Sequence, residues 1–176
     1  IRWLRQRGRG EAAKPFFAWV HYYDPHLPYR SPLGNDPRFA GRPYDAEIAF
    51  VDQQFGRLLG ELETEGLRSR TLIVVAADHG ESLGEHGEQT HGMLLYEPTV
   101  RVPLLLCCPS PTPAKARVNR RLVGLVDLRP SIEELLGFPV TLPCDGQSFL
   151  GPDTPRDRSV YLETMGCQMN ALDSEL

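Results

Sequence analysis

Apolar residues fall into blocks of different period along the chain. Phe16 to His21 is a compact aromatic and β-branched run of the kind that forms a buried strand, and it leads into a turn-rich segment, Asp24 to Pro43, that reads as a long loop. From Asp45 onward, Ile48, Val51, Phe55, Leu58 and Leu62 recur at alternating spacings of three and four, with Gly66 as a stop. That pattern predicts one amphipathic helix whose inner face lies on a sheet, with Asp45 as its N-cap. Thr71 to Ala77 is apolar at nearly every position, as in a strand covered on both faces. A polar loop rich in Gly and His follows from Asp78 to Gly92, then a second buried strand, Val102 to Cys108, and a Pro-rich turn. Val118 to Val126 predicts a further strand. Asp127 caps a short helix with Pro130 in its first turn, Leu135 and Leu136 in its body and Gly137 at its end. Strand, helix, strand in that order gives an α/β fold class.

Composition narrows this picture without redirecting it. A chain of 176 residues, 41% apolar and 24% charged, is long enough to bury one core and has ordinary globular composition. A formal charge of −4 gives no basic face for nucleic acid and no polybasic patch for a membrane. The apolar runs fall far short of the roughly 20 residues needed to cross a bilayer, so no membrane segment is expected. The start at Ile1, with Arg2, Arg5, Arg7 and Arg9 and no apolar stretch behind them, shows no signal-peptide pattern, and further chain is expected N-terminal to it. Cys107, Cys108, Cys144 and Cys167 have neither paired metal spacing nor the density of a disulfide framework.

The chemistry concentrates at Asp78-His79-Gly80-Glu81, where a predicted strand passes into a loop. Ligands of open α/β sheets collect at the carboxyl ends of strands. An adjacent carboxylate and imidazole there can share one cation, with Gly80 letting the backbone turn away. His26 sits in a loop stiffened by Pro25 and Pro28, a setting that holds an imidazole against an anionic oxygen, and His91 is a second donor from the loop after Asp78. His21 and His86 read as structural or outer-shell residues, Asp45 and Asp52 as structural, and Cys107 and Cys108 as core.

Three segments in order, Phe16 to Tyr29, Asp78 to His86 and Thr90 to Pro103, together resemble the sulfatase family, and the likeness continues through Val126 to Gly137 and Asp145 to Ser148. The resemblance implies an incomplete alkaline-phosphatase-like α/β fold, a mixed and mostly parallel sheet between helices. It implies one divalent cation, calcium by family habit with magnesium, manganese or zinc as alternatives, held in part by Asp78 and His79. It places His26 and His91 against the ester oxygens of a small-molecule or glycan sulfate. The family's early Asp-Asp pair and its Cys/Ser-x-Pro-x-Arg motif, the source of the formylglycine nucleophile, do not occur in this chain. Cys107-Cys108-Pro109-Ser110-Pro111 imitates that motif but has Pro111 where Arg is required.

The expectation is therefore part of a metal-dependent sulfuric-ester hydrolase, inactive alone. Phosphodiesterases, phosphonate hydrolases and phosphoethanolamine transferases of the same superfamily are the alternatives. A second resemblance concerns Glu163 to Glu175, which is similar to the opening of tRNA methylthiotransferases. It implies that Cys167 would help hold a 4Fe-4S cluster, although one thiolate cannot hold a cluster. The chain then divides into a leader (1–13), a sulfatase-like part (14–162) and a methylthiotransferase-like tail (163–176).

Overall fold

A computed structural model describes residues 1–7, 14–109, 118, 120–139 and 142–150. Cys167 and the tail that contains it lie outside the described residues. The chain divides into two compact units, Ile1–Val74 with Leu105–Ala114, and Val75–Leu104 with Lys115–Leu176.

In the first unit, helix α1 (Arg2–Arg7) accompanies the long helix α2 (Pro43–Thr64). The fixed φ of Pro43 suits a first helical position, so α2 begins two residues before Asp45. Asp45 is therefore in the first turn instead of at the N-cap, paired with Arg42 at 3.0 Å. The C-terminus follows the expected Gly66. With Gly66 at φ +64°, Leu67 N–H donates to Leu62 O at 2.8 Å and Gly66 N–H to Glu63 O at 3.0 Å, the pair of bonds that closes a helix on a left-handed glycine. The same closure brings Leu62 and Leu67 together with Leu4 as a buried cluster, with Leu58, Phe16 and Ile73 packed against it. Ile48, at the other end of the expected inner face, is exposed. Arg5 fastens α1 to α2 with two parallel bonds to Glu61, at 2.6 and 2.9 Å, and this guanidinium holds the Glu61 carboxyl below the usual carboxylate range.

The expected strand at Phe16 to His21 does not form, and Phe17 and Trp19 are 83% and 81% exposed. No described strand is hydrogen-bonded to this run, and an extended segment without a hydrogen-bonded neighbour has no sheet on which to bury alternate side chains.

Strands β1 (Ile73–Ala76) and β2 (Leu104–Cys107) pair into a two-stranded antiparallel sheet. Both are shorter and less covered than their apolar runs suggest. β1 is only half-buried, and β2 alternates between half-buried and exposed positions, which turns Leu105 and Cys107 outward. Cys107 and Cys108 are consequently exposed, not core residues.

The second unit carries the Asp78 loop, a single-turn helix α3 (Glu97–Val100) and helix α4 (Leu128–Leu136). The described residues of Val118 to Val126 form no strand: they are irregular, with Val118 and Leu122 exposed, and end in a 3-10 turn at Leu125–Asp127. Asp127 does stand at the start of α4, but its buried carboxylate serves other donors, Gly124 N–H and Gln147 N–H, each at 2.9 Å. Ser131 Oγ bonds Asp127 O at 2.7 Å and accepts Phe149 N–H at 3.1 Å, so residues 147–149 are tied along α4. The helix ends at Gly137, φ +68°, as its sequence predicts.

Candidate metal and anion site

Asp78 lies two residues beyond β1, with its side chain 80% exposed. Its Oδ1 accepts the N–H of His79 at 3.1 Å, while Oδ2 is 3.8 Å from His79 Nε2. His79 Nδ1 is 2.8 Å from the Gly80 carbonyl, which can only accept, so Nδ1 carries the proton and Nε2 the lone pair. A ring anchored through one N–H to a backbone carbonyl, which leaves the other nitrogen for a metal, is the usual condition of a metal-bound histidine, and here that other nitrogen has a carboxylate oxygen 3.8 Å away. The donor set thus fits a divalent cation as two ligands. Among the described residues, no group of three or more His, Cys, Asp or Glu side chains converges as a complete site.

Gly80 keeps this corner in place by close packing. Its N–H donates to Thr99 O at 2.8 Å, and a Cβ at this position would stand 2.0 Å from Pro98 O. Its φ is not in the left-handed region, so the need for glycine is one of space and not of turn geometry.

His91 stacks on His79, ring centroids 3.9 Å apart and planes tilted by 30°. Its Nδ1 is 2.9 Å from Glu81 Oε1, with the His91 side chain 10% and the Glu81 side chain 5% exposed. Thr90 Oγ1 is 3.3 Å from the same nitrogen. The intervening loop is held by its own carboxylates. Glu85 accepts Leu83 N–H at 2.6 Å, a bond that keeps its carboxyl below the ordinary range, and Glu88 accepts Met93 N–H at 2.8 Å. His86, at φ +56°, stacks on Tyr96 at 3.7 Å, in keeping with a structural role.

His26 belongs to the first unit. Its backbone N–H and that of Arg30 both donate to Glu47, which is 2% exposed on α2. Its Nδ1 lies 2.7 Å from Leu27 O and its ring stacks on Tyr23 at 4.6 Å. His21 is exposed. The structure therefore brings Asp78, His79 and His91 together in one unit and fixes His26 separately in the other.

Two carboxylates escaped sequence reasoning as site residues. Glu81 was visible within the Asp78 motif, yet nothing in the motif shows that it turns inward. Glu47 lies four residues before Val51, on the inner side of α2, and a charged residue in an apolar stripe was the available signal.

Comparison with known proteins identifies the family. The family model described as Sulfatase matches residues 2–138. The chain belongs to the sulfatase family. Mouse (Mus musculus) iduronate 2-sulfatase is 27% identical over 78% of this chain and 39% of its own length. A phosphonate monoester hydrolase from Silicibacter pomeroyi superposes on 62% of this chain and 21% of its own, with TM-score 0.55 and 31% identity. A sulfatase from a Bacteroides thetaiotaomicron glycosaminoglycan-metabolism locus covers 90% of this chain and 38% of its own with TM-score 0.69, at 23% identity a likeness of fold alone. These neighbours make the fold alkaline-phosphatase-like α/β, and β1 with β2 is an antiparallel pair within it. The sulfatase-family chain spans under two fifths of the length of the curated relatives that it matches first.

Proposed function

We propose that this chain supplies part of the site of a metal-dependent sulfuric-ester hydrolase acting on a small-molecule or glycan sulfate. The observation that carries the proposal is the convergence of Asp78 Oδ2 and His79 Nε2, 3.8 Å apart, with the opposite ring nitrogen tied to Gly80 O. Asp78 and His79 would hold the cation, calcium by family habit. When bound, it stabilises negative charge on the oxygens of the ester. His91, anchored through Nδ1 on Glu81, would meet the anion through Nε2; His26, the other expected anion contact, is anchored through Nδ1 within its own unit. The geometry of the rings is thus set before the ester arrives, which is where electrostatic stabilisation gains its strength.

The isolated chain should turn over neither sulfate nor phosphate esters, because it contains neither the nucleophile motif nor the first Asp pair. It should bind a divalent cation weakly, since hard cations take six or more ligands and the described residues bring two together here. Isothermal calorimetry with calcium and zinc tests the proposal. Weak binding lost in Asp78→Ala and His79→Ala, and unchanged in His86→Ala, is expected. Tight zinc binding lost equally in His79→Ala and His86→Ala would refute it, as would hydrolysis of an aryl sulfate above blank that Asp78→Ala abolishes. A phosphonate or phosphodiester substrate is the second reading, favoured by the 31% identity to the phosphonate monoester hydrolase.

A further inference from the structure

The buried partner of His91 has no role in the proposal above. Burying a carboxylate is costly unless its oxygens are paired, so a Glu side chain only 5% exposed marks a defined interaction. Gly80 packs closely against Pro98 and Thr99 one residue before Glu81, and across this corner Asp78 is exposed while Glu81, three residues later, is buried.

We infer that Glu81 is a positioning residue, fixing the tautomer and ring plane of His91 and, through the ring stack, the heading of His79. The role it serves rests on the metal-site reading, but the geometry does not. An ionised carboxylate has no proton to give, so at 2.9 Å the His91 Nδ1–H donates to Glu81 Oε1. Thr90 Oγ1, at 3.3 Å, is the weaker neighbour of the same nitrogen. With Nδ1 committed, Nε2 occupies the ring edge away from Glu81 and becomes the atom that can face a ligand. The centroid distance of 3.9 Å leaves no room for His91 to rotate without displacing His79. One carboxylate thereby orients both a candidate anion contact and a candidate metal ligand.

The test is nitrogen-15 histidine NMR on the chain itself, at a pH where its histidines are neutral, followed by calcium calorimetry. Wild-type His91 should carry its proton on Nδ1. Glu81→Ala should release it to a mixture of tautomers, shift the His79 ring signals and lower calcium affinity about 10–100-fold, the usual cost of losing an outer-shell partner. Glu81→Gln, which keeps one acceptor oxygen and the side-chain shape, should restore the Nδ1–H tautomer, a rescue that mere cavity filling would not give. An Nε2–H tautomer in the wild type overturns the inference without any variant. So does a Glu81→Ala chain in which both rings are unchanged. A locked His91 in a chain that binds no calcium upholds the positioning role and rejects the metal-site reading instead.

Discussion

Replacing Gly80 with alanine isolates the packing that holds the corner after Asp78 and His79. The added Cβ would lie 2.0 Å from Pro98 O, 2.9 Å from the Pro98 carbonyl carbon and 3.2 Å from that of Thr99. All three neighbours are backbone atoms, so no side chain can swing aside, and the two segments must part by more than an ångström. That movement also stretches the 2.8 Å bond from Gly80 N–H to Thr99 O. Overpacking typically costs about 1–3 kcal/mol and a lost hydrogen bond about 1 kcal/mol more, so about 2–4 kcal/mol is expected. At about 2–4 °C per kcal/mol for a domain of this size, the melting temperature should fall by about 5–15 °C. Urea and thermal unfolding followed by circular dichroism give the number. Gly56→Ala is the control, because its Cβ would meet nothing within 4 Å in the middle of α2, and it should stabilise by up to about 1 kcal/mol. A Gly80→Ala chain within about 0.5 kcal/mol of wild type, the range of an ordinary surface change, would refute the close-packing argument.

Two other outcomes follow from buried or paired carboxylates. Glu47→Ala strands the N–H groups of His26 and Arg30, each bond to a charged acceptor being worth about 1.5–3 kcal/mol, so amide exchange at both residues should quicken while the end of α2 near Leu62 is unaffected. Unchanged exchange at His26 would mean that Glu47 does not hold that loop. The Arg5 guanidinium depresses the folded-state pKa of Glu61 below its unfolded value, so this pair stabilises fully above the ordinary carboxylate range and loses that contribution as pH falls through the lower, folded value. The stability gap between wild type and Glu61→Gln should therefore be present at neutral pH and close in acid; a gap that persists at the acid end would contradict the assignment.

What the sequence revealed divides along a physical line. Helix α2 and the stop at Gly66 were legible because a period of 3.6 and a left-handed glycine act over a single turn, and the same holds for the end of α4 at Gly137. The place of Asp78 and His79 just beyond β1 was legible because a strand end followed by Asp-His-Gly is a local arrangement. Phe16 to His21 and Val118 to Val126 misled because a strand requires a neighbour, and an apolar run states only that one is wanted. Cys107 and Cys108 misled in the same way, since one face of β2 lacks cover. Glu81 could not be foreseen, and Glu47 gave only the signal of a charge in an apolar stripe, because the burial of a charge depends on backbone donors and imidazoles that meet it only after folding. Gly80 was legible as a place where a side chain would clash, but the atom it would clash with could not be read locally, because it belongs to Pro98, 18 positions away.

The three candidate histidines share a feature that bears on how such a site survives in a partial chain. His26 is anchored through Nδ1 to Leu27 O, His79 to Gly80 O and His91 to Glu81, so each acceptor lies within ten residues of its ring. Each imidazole is thus oriented by its own loop. In a site built this way, donor orientation and ligand number separate: the orientation of His79 is an attribute of the local segment, whereas the count of ligands depends on the rest of a hydrolase. Affinity for a hard cation follows the count, because every absent carboxylate removes both a bond and a neutralising charge. Tautomer state follows the local anchors. Weak binding with well-fixed rings is accordingly the combination that distinguishes a partial sulfatase cradle from a loop that merely happens to be rich in histidine, where weak binding would come with rings that are free to exchange.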